Sequence, residues 1–265
     1  MKLGILGVGE LTEKIVAGVY RVDPSAEIIL SPRNTQRAAK LNLSYGCRIA
    51  DSNQCVVEAA DTLLIGVRPD ALPQLAASLS IRETQTVVSL VAGVSSAQLR
   101  AIFNHQRVVR LMLTYAAEIN RTSVVMTDCE ADIQHYFSQL GELTLLQDEA
   151  AFELATVSMC INGWFYQLAA GLQSWMVKQG MSPDDARRLT LGAMRDCAEY
   201  GGYQANQSLE KLLQSIATEG TFTAQGLEIL QHQQFLRPWT TAAEEVFRSL
   251  NISQHYSEPR TPVDD

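Results

Sequence analysis

Short apolar runs rich in β-branched residues recur at residues 2–6, 27–30, 62–67, 86–91 and 108–112, and between them apolar positions fall at helical spacing, as Leu11, Ile15, Val16 and Val19 do. Continuously apolar runs alternating with amphipathic segments predict parallel strands joined by crossover helices. Asn34 stands where it can cap a helix over 35–43, and Ser95 to Gln98 reads as a capping box. Strands near 122–126 and 143–146, flanking a helix over 130–140, complete a first domain ending at residue 148. The pattern then becomes wholly helical, over 150–178, 182–200, 208–217, 223–231 and 238–250. Ser182-Pro183-Asp184-Asp185 supplies the cap, the N1 proline and the first-turn acids of one such helix. A second, all-helical domain is expected over 149–252, with a disordered tail over 253–265 that holds two prolines and little apolar content.

Composition narrows the class of partner. The chain has 265 residues and a formal net charge of −8, with no run of Lys or Arg, which argues against nucleic acid or an anionic membrane surface. Small molecules or other protein chains are expected instead. Five scattered cysteines read as reduced thiols of a cytoplasmic protein, and the four histidines lack metal-ligand spacing. Leu3 to Gly9 reads as a buried strand, because three glycines interrupt it and no cleavage site follows. Residues 154–177 carry no formal charge, yet polar residues are spread along them, so a central helix is expected rather than a membrane span. That helix is too apolar for four shorter ones to cover, which implies a homodimer or larger homo-oligomer.

Directly after the first strand stands Gly7-Val8-Gly9-Glu10-Leu11-Thr12. Two glycines there permit a tight turn and close approach of a pyrophosphate to the helix N-terminus, so the first domain reads as a Rossmann-type α/β domain. Thr12 departs from the small third residue of that fingerprint, and Glu10 puts a carboxylate near the same N–H donors. A structural turn that binds nothing is the alternative. About 20 residues on, where an NAD enzyme places an acid for the ribose, the chain reads Ser31-Pro32-Arg33-Asn34. A hydroxyl and a guanidinium suit a 2′-phosphate, which favours NADPH over NADH; Arg33 and Arg37 as ordinary solvated charges are the alternative.

These residues resemble the pyrroline-5-carboxylate reductase family over roughly 1–250. The similarity lies in Lys2 to Gly9, Ile28 to Asn34, Ala60-Asp61-Thr62-Leu63-Leu64-Ile65-Gly66-Val67-Arg68-Pro69 against the family's A-D-x-x-x-x-A-V-K-P, and Val88 to Ser95 against V-S-x-x-A-G-x-S. The resemblance implies NADPH-dependent reduction of a cyclic imine, nominally 1-pyrroline-5-carboxylate to L-proline. It also implies cofactor contacts from Gly7, Val8, Gly9, Glu10, Leu11, Ser31, Arg33, Asn34, Asn53, Gly66, Val67, Arg68, Pro69, Ala92 and Gly93.

The second half departs from the family. Arg110 to Ala117 stands for R-x-M-P-N-T-P-A without its prolines or asparagine, and Ser158 to Gly163 is bulkier than S-G-S-G-P-A. Thr218, Gly220, Thr221 and Phe222 fall in the loop that corresponds to the carboxylate-binding T-S-P-G-G-T-T, where Phe222 removes a hydroxyl and Glu219 adds a repelling charge. Thr223 matches the family threonine that hydrogen-bonds the ring nitrogen; a helix cap is its other reading. Tyr115 and Tyr166 are candidate neutral proton donors or packing residues, and Trp164, Phe165 and Tyr166 line either an apolar pocket or an interface. No lysine lies between Val157 and Val177, as the related β-hydroxyacid dehydrogenases require. Two further readings follow from the altered loop: reduction of a bulkier or less anionic imine, and a non-catalytic descendant that binds NADP and regulates.

Overall fold

The computed structural model of the chain describes residues 1–255. Its strands are β1 (Lys2–Leu6), β2 (Glu27–Leu30), β3 (Arg48–Ile49), β4 (Thr62–Ile65), β5 (Thr86–Ser89), β6 (Val108–Met112), β7 (Thr122–Thr127) and β8 (Gly141–Leu146). They form one sheet in the order β3-β2-β1-β4-β5-β6-β7-β8. Every pair is parallel except β6 with β7. That reversal has a local cause: only residues 113–121 join the two strands, and most of them are taken by a 3-10 turn over Tyr115–Ile119. A parallel crossover needs a dozen residues or more.

The helices between the strands are α1 (Glu10–Val22), α2 (Thr35–Tyr45), α3 (Asn53–Ala59), α4 (Leu72–Ala77), α5 (Ser96–Phe103) and α6 (Ala131–Ser138). They cover both faces. Alternation along β4 sends Leu64 into one core with Ile5, Ile15, Leu111 and Phe137, while Leu63 and Ile65 enter another with Leu6, Val56, Leu72 and Leu99. Each such side chain contributes about 1.5–3 kcal/mol when fully buried. Strand order reverses about β1, flanked by β2 and β4, and the carboxyl ends of these strands form the switch-point crevice where α/β sheets bind ligands.

After β8 come α7 (Glu149–Lys178), α8 (Pro183–Tyr203), α9 (Leu209–Ile216), α10 (Phe222–His232) and α11 (Leu236–His255). By compactness the chain divides into Met1–Met159 with the stretch from Val246 onward, and Cys160–Glu245. The first eleven residues of α7 thus belong with the sheet. Phe152 packs there on Met112 and Val125, and a buried arginine anchors the turn. Arg110 Nη1 donates to Glu149 Oε2 at 2.5 Å and Nη2 to Glu153 Oε1 at 2.7 Å, with the guanidinium 4.2 Å above the Phe152 ring. Glu149 Oε1 also accepts from the Ser96 N–H at the start of α5 (2.8 Å). Burial opposes its ionisation, but the Ser96 hydrogen bond and the Arg110 charge outweigh that and hold its carboxyl below the ordinary range.

In the helical unit Trp239 packs edge-on against Trp164 and tilted against Phe165, at centroid distances of 6.2 and 5.6 Å. Phe165, Tyr166, Leu172, Leu189 and Met194 line an apolar groove of about 760 Å³ on α7 and α8. Among the described residues no helix is long and apolar enough to cross a membrane. Helix α11 continues three residues past the expected boundary at 252; the rest of the tail read as disordered, 256–265, lies outside the described residues.

Candidate active site

The turn after β1 is shaped by contacts that only glycine allows. Gly7 has φ +102°, and a Cβ there would lie 2.7 Å from the Gly66 carbonyl carbon. Its N–H donates to Ser31 Oγ at 3.1 Å. Gly9 caps α1, and a Cβ built on it would meet nothing within 4 Å, so the approach to the helix end is open. The next N–H groups, of Glu10 and Leu11, stand in the first turn of α1 with no intrahelical carbonyl to bond, the kind of helix end that suits an anion. The Glu10 side chain is exposed.

Thr12, the departure from the fingerprint, has a structural explanation. Its hydroxyl accepts from the Gly9 N–H at 2.7 Å and lies 2.8 Å from the Gly9 carbonyl, so it closes the first turn of α1. Its methyl fills the space beside Gly66, where a Cβ would come within 2.7 Å of Thr12 Cγ2. The family pattern has alanine at the position of Gly66. Volume added at residue 12 is offset by volume removed at residue 66, and helix and strand still pack closely.

Five of the expected cofactor residues, Gly7, Ser31, Arg33, Asn53 and Val67, line one cleft of about 320 Å³ at the carboxyl ends of β1, β2 and β4. Ala71, Gln74, Leu75 and Ser78 complete its wall. Sequence reasoning missed these four; Pro69 and Pro73, opening a 3-10 turn and α4 just after a strand, were the available signal. Ser31 is only 2% exposed and holds the glycine turn rather than standing free. Asn34 caps α2 through the Arg37 N–H (3.3 Å) and donates to the Val8 carbonyl (3.0 Å), so it braces the turn. Arg33, Arg68, Pro69 and Ala92 are exposed, and Gly93 sits at φ +70° before α5. An open helix end, a glycine turn and an exposed guanidinium about one cleft are a donor set that fits a dinucleotide.

The helical unit presents its own glycine turn. Gly220 has φ +82°, and Thr221, not Thr223, caps α10, accepting from the Ala224 N–H at 3.1 Å and donating to the Thr218 carbonyl at 2.8 Å. The expected helix start at Thr223 is therefore corrected to Phe222, because Thr221 has the extended backbone a cap needs (φ −87°, ψ 152°). Thr223 lies inside the first turn with its side chain exposed, and Phe222 is 92% exposed. Tyr115 and Tyr166 fall in different units and are 50% and 66% exposed, so neither is a buried packing residue.

Residues 2–93 match the family model described as NADP oxidoreductase, coenzyme F420-dependent, and residues 149–250 the one described as pyrroline-5-carboxylate reductase dimerisation. Pyrroline-5-carboxylate reductase 1 of Bacillus spizizenii is 25% identical over 247 residues, covering 87% of this chain and 82% of its own. Two solved structures share the fold. Pyrroline-5-carboxylate reductase from Streptococcus pyogenes has TM-score 0.83 at 20% identity and covers 95% of this chain and 98% of its own. Plasmodium falciparum pyrroline carboxylate reductase with NADP bound has TM-score 0.84 at 17% identity, covering 96% and 98%. The fold is that of NAD(P)-dependent oxidoreductases. Both halves are thus matched in order, the first by a nucleotide-dependent oxidoreductase model and the second by a pyrroline-5-carboxylate reductase dimerisation model, and curated pyrroline-5-carboxylate reductases match along most of their length.

Proposed function

We propose that this chain is an NADPH-dependent reductase that converts 1-pyrroline-5-carboxylate to L-proline, with NADPH preferred over NADH. The carrying observation is the cleft of Gly7, Ser31, Arg33, Asn53 and Val67 in a chain that also bears a matched reductase dimerisation domain. The names of the relatives supply the substrate. When bound, the reduced nicotinamide supplies a hydride. The N–H groups of Glu10 and Leu11 hold the diphosphate, Arg33 at the mouth of the cleft favours a 2′-phosphate, and Asn53 and Val67 line the wall.

A protonated C=N accepts hydride readily, so the protein's part is chiefly alignment and exclusion of water. Thr223 presents an exposed hydroxyl to orient the imine nitrogen, and Thr218, Gly220, Thr221 and Phe222 form the substrate loop. Tyr115 and Tyr166 are the available neutral donors. The apolar groove on α7 and α8 supports assembly as a homodimer or larger homo-oligomer through the helical unit, and five free thiols support a cytoplasmic setting.

Fluorescence titration with NADPH and with NADH, followed by NADPH oxidation at 340 nm with 1-pyrroline-5-carboxylate, tests the reading. Micromolar NADPH binding, weaker NADH binding and turnover are expected; no binding of either nucleotide would overturn it. One observation favours a second reading, a bulkier or less anionic imine: Phe222 stands almost fully exposed beside Glu219 in the substrate loop. An uncharged cyclic imine turning over faster than the carboxylated one would select that reading, and Phe222→Thr with Glu219→Pro would then reverse the order.

A further inference from the structure

The corner between β2 and α2 carries three cations, Arg33, Arg37 and Lys40, and only the first of them lines the cleft. The other two turn toward a carboxylate that arrives from α1. Glu13 Oε2 accepts from Arg37 Nη1 at 2.6 Å, and Glu13 Oε1 lies 3.7 Å from Lys40 Nζ. The Glu13 side chain is 10% exposed, so its charge is poorly hydrated and is held by these partners. Arg37 is fixed at its backbone as well, through the N–H given to Asn34. The acceptor is thus one turn into the same helix whose first N–H groups face the diphosphate.

We propose that Glu13 is a specificity-determining residue for the cofactor: it holds Arg37, with Lys40 behind it, away from the 2′-phosphate, so that discrimination of NADPH from NADH falls to Arg33 alone. This rests on the reading of Arg33 as the 2′-phosphate partner. For Arg37 to turn to an incoming phosphate, a nearly buried carboxylate would lose its principal partner, and that penalty keeps the guanidinium where it is. Neutralising Glu13 removes the restraint and leaves a second planar donor fork in the first turn of α2, four residues after Arg33 in the chain.

The test is the dissociation constant of NADPH and of NADH, by fluorescence titration at low and high salt, for the unaltered protein, Glu13→Gln, Arg37→Met, the double variant and Arg33→Met. Glu13→Gln, nearly isosteric, is expected to tighten NADPH about 3- to 10-fold, to leave NADH within about twofold and to steepen the salt dependence. Arg37→Met alone is expected to leave the NADPH to NADH ratio within about twofold, and the double variant to lose the gain. Glu13→Gln moving both constants together would overturn the proposal and leave Glu13 a clamp between α1 and α2. Arg37→Met collapsing the ratio would overturn it too, by showing that Arg37 already reads the phosphate. Failure of the underlying reading is separable: Arg33→Met would then leave the ratio untouched, whereas under the proposal it weakens NADPH and spares NADH.

Discussion

Two glycine turns open helices in this molecule, and they are built differently. Gly7 leads into α1 and is walled by Gly66, tied to Ser31 and braced through Asn34 and Val8. Gly220 leads into α10 with a similar left-handed backbone, yet a Cβ added to it would meet nothing within 4 Å, and Phe222, two residues on, stands in solvent. Hydrogen bonds within Thr218, Thr221 and Ala224 are what shape that second turn. The turn after β1 is thus organised by long-range contacts in the sheet unit. The turn proposed to carry the substrate is organised, among the described residues, by its neighbours in sequence, so the proposed cofactor site is the more sensitive of the two to distant substitutions.

The largest test of that contrast lies away from both turns, in the network that fixes the start of α7. Arg110→Met leaves Glu153, fully buried, without the guanidinium that faces it, and is expected to cost about 3–5 kcal/mol in urea unfolding. A cost near zero would mean that the interior of the sheet unit is not held by this pair. Next comes the direct comparison of the turns. Gly7→Ala combines a positive φ with a collision against backbone and is expected to cost about 2–4 kcal/mol and to abolish nucleotide binding. Gly220→Ala meets open space and should cost only the left-handed backbone, about 1–2 kcal/mol. Equal costs at 7 and 220 would break the comparison.

The smallest effect sharpens it through pH. Glu149 has a carboxyl held below its ordinary value of 4.5, so its contribution is fully present above that value and is lost as pH falls through the lowered one. The side chain is partly exposed, so the gap in unfolding free energy between the unaltered protein and Glu149→Gln should be about 1 kcal/mol or less at neutral pH. It should close as the solution is acidified below about pH 4.5. A gap that persisted at pH 3 would assign the effect to packing rather than to charge.

Much of the fold was legible because the strands are buried and β-branched: β1, β2 and β6 match the apolar runs residue for residue. The two-residue β3, exposed along its length, carries no such signal, and neither do the short helices α3 and α4. Strand direction is equally silent in the hydrophobic pattern, so the reversal of β7 emerges only from the shortness of its connection. Within the site, the glycine turn and the residues after β2 were readable from their spacing. The salt bridge from Glu13 to Arg37 was not, since it pairs residues of two helices whose facing sides are set by packing. The cap at Thr221 was displaced by two residues because Thr221 and Thr223 have the same capping chemistry and only backbone angles separate them.

The interlock of Thr12 with Gly66 makes the two positions one unit of packing. A Cβ on residue 66 would lie 2.7 Å from Thr12 Cγ2 and 2.8 Å from the Gly7 carbonyl oxygen, so a side chain of α1 and the backbone of the glycine turn both bar it. Shrinking residue 12 relieves the first of these contacts and leaves the second, so the turn itself sets a limit at the end of β4 that the helix cannot lift.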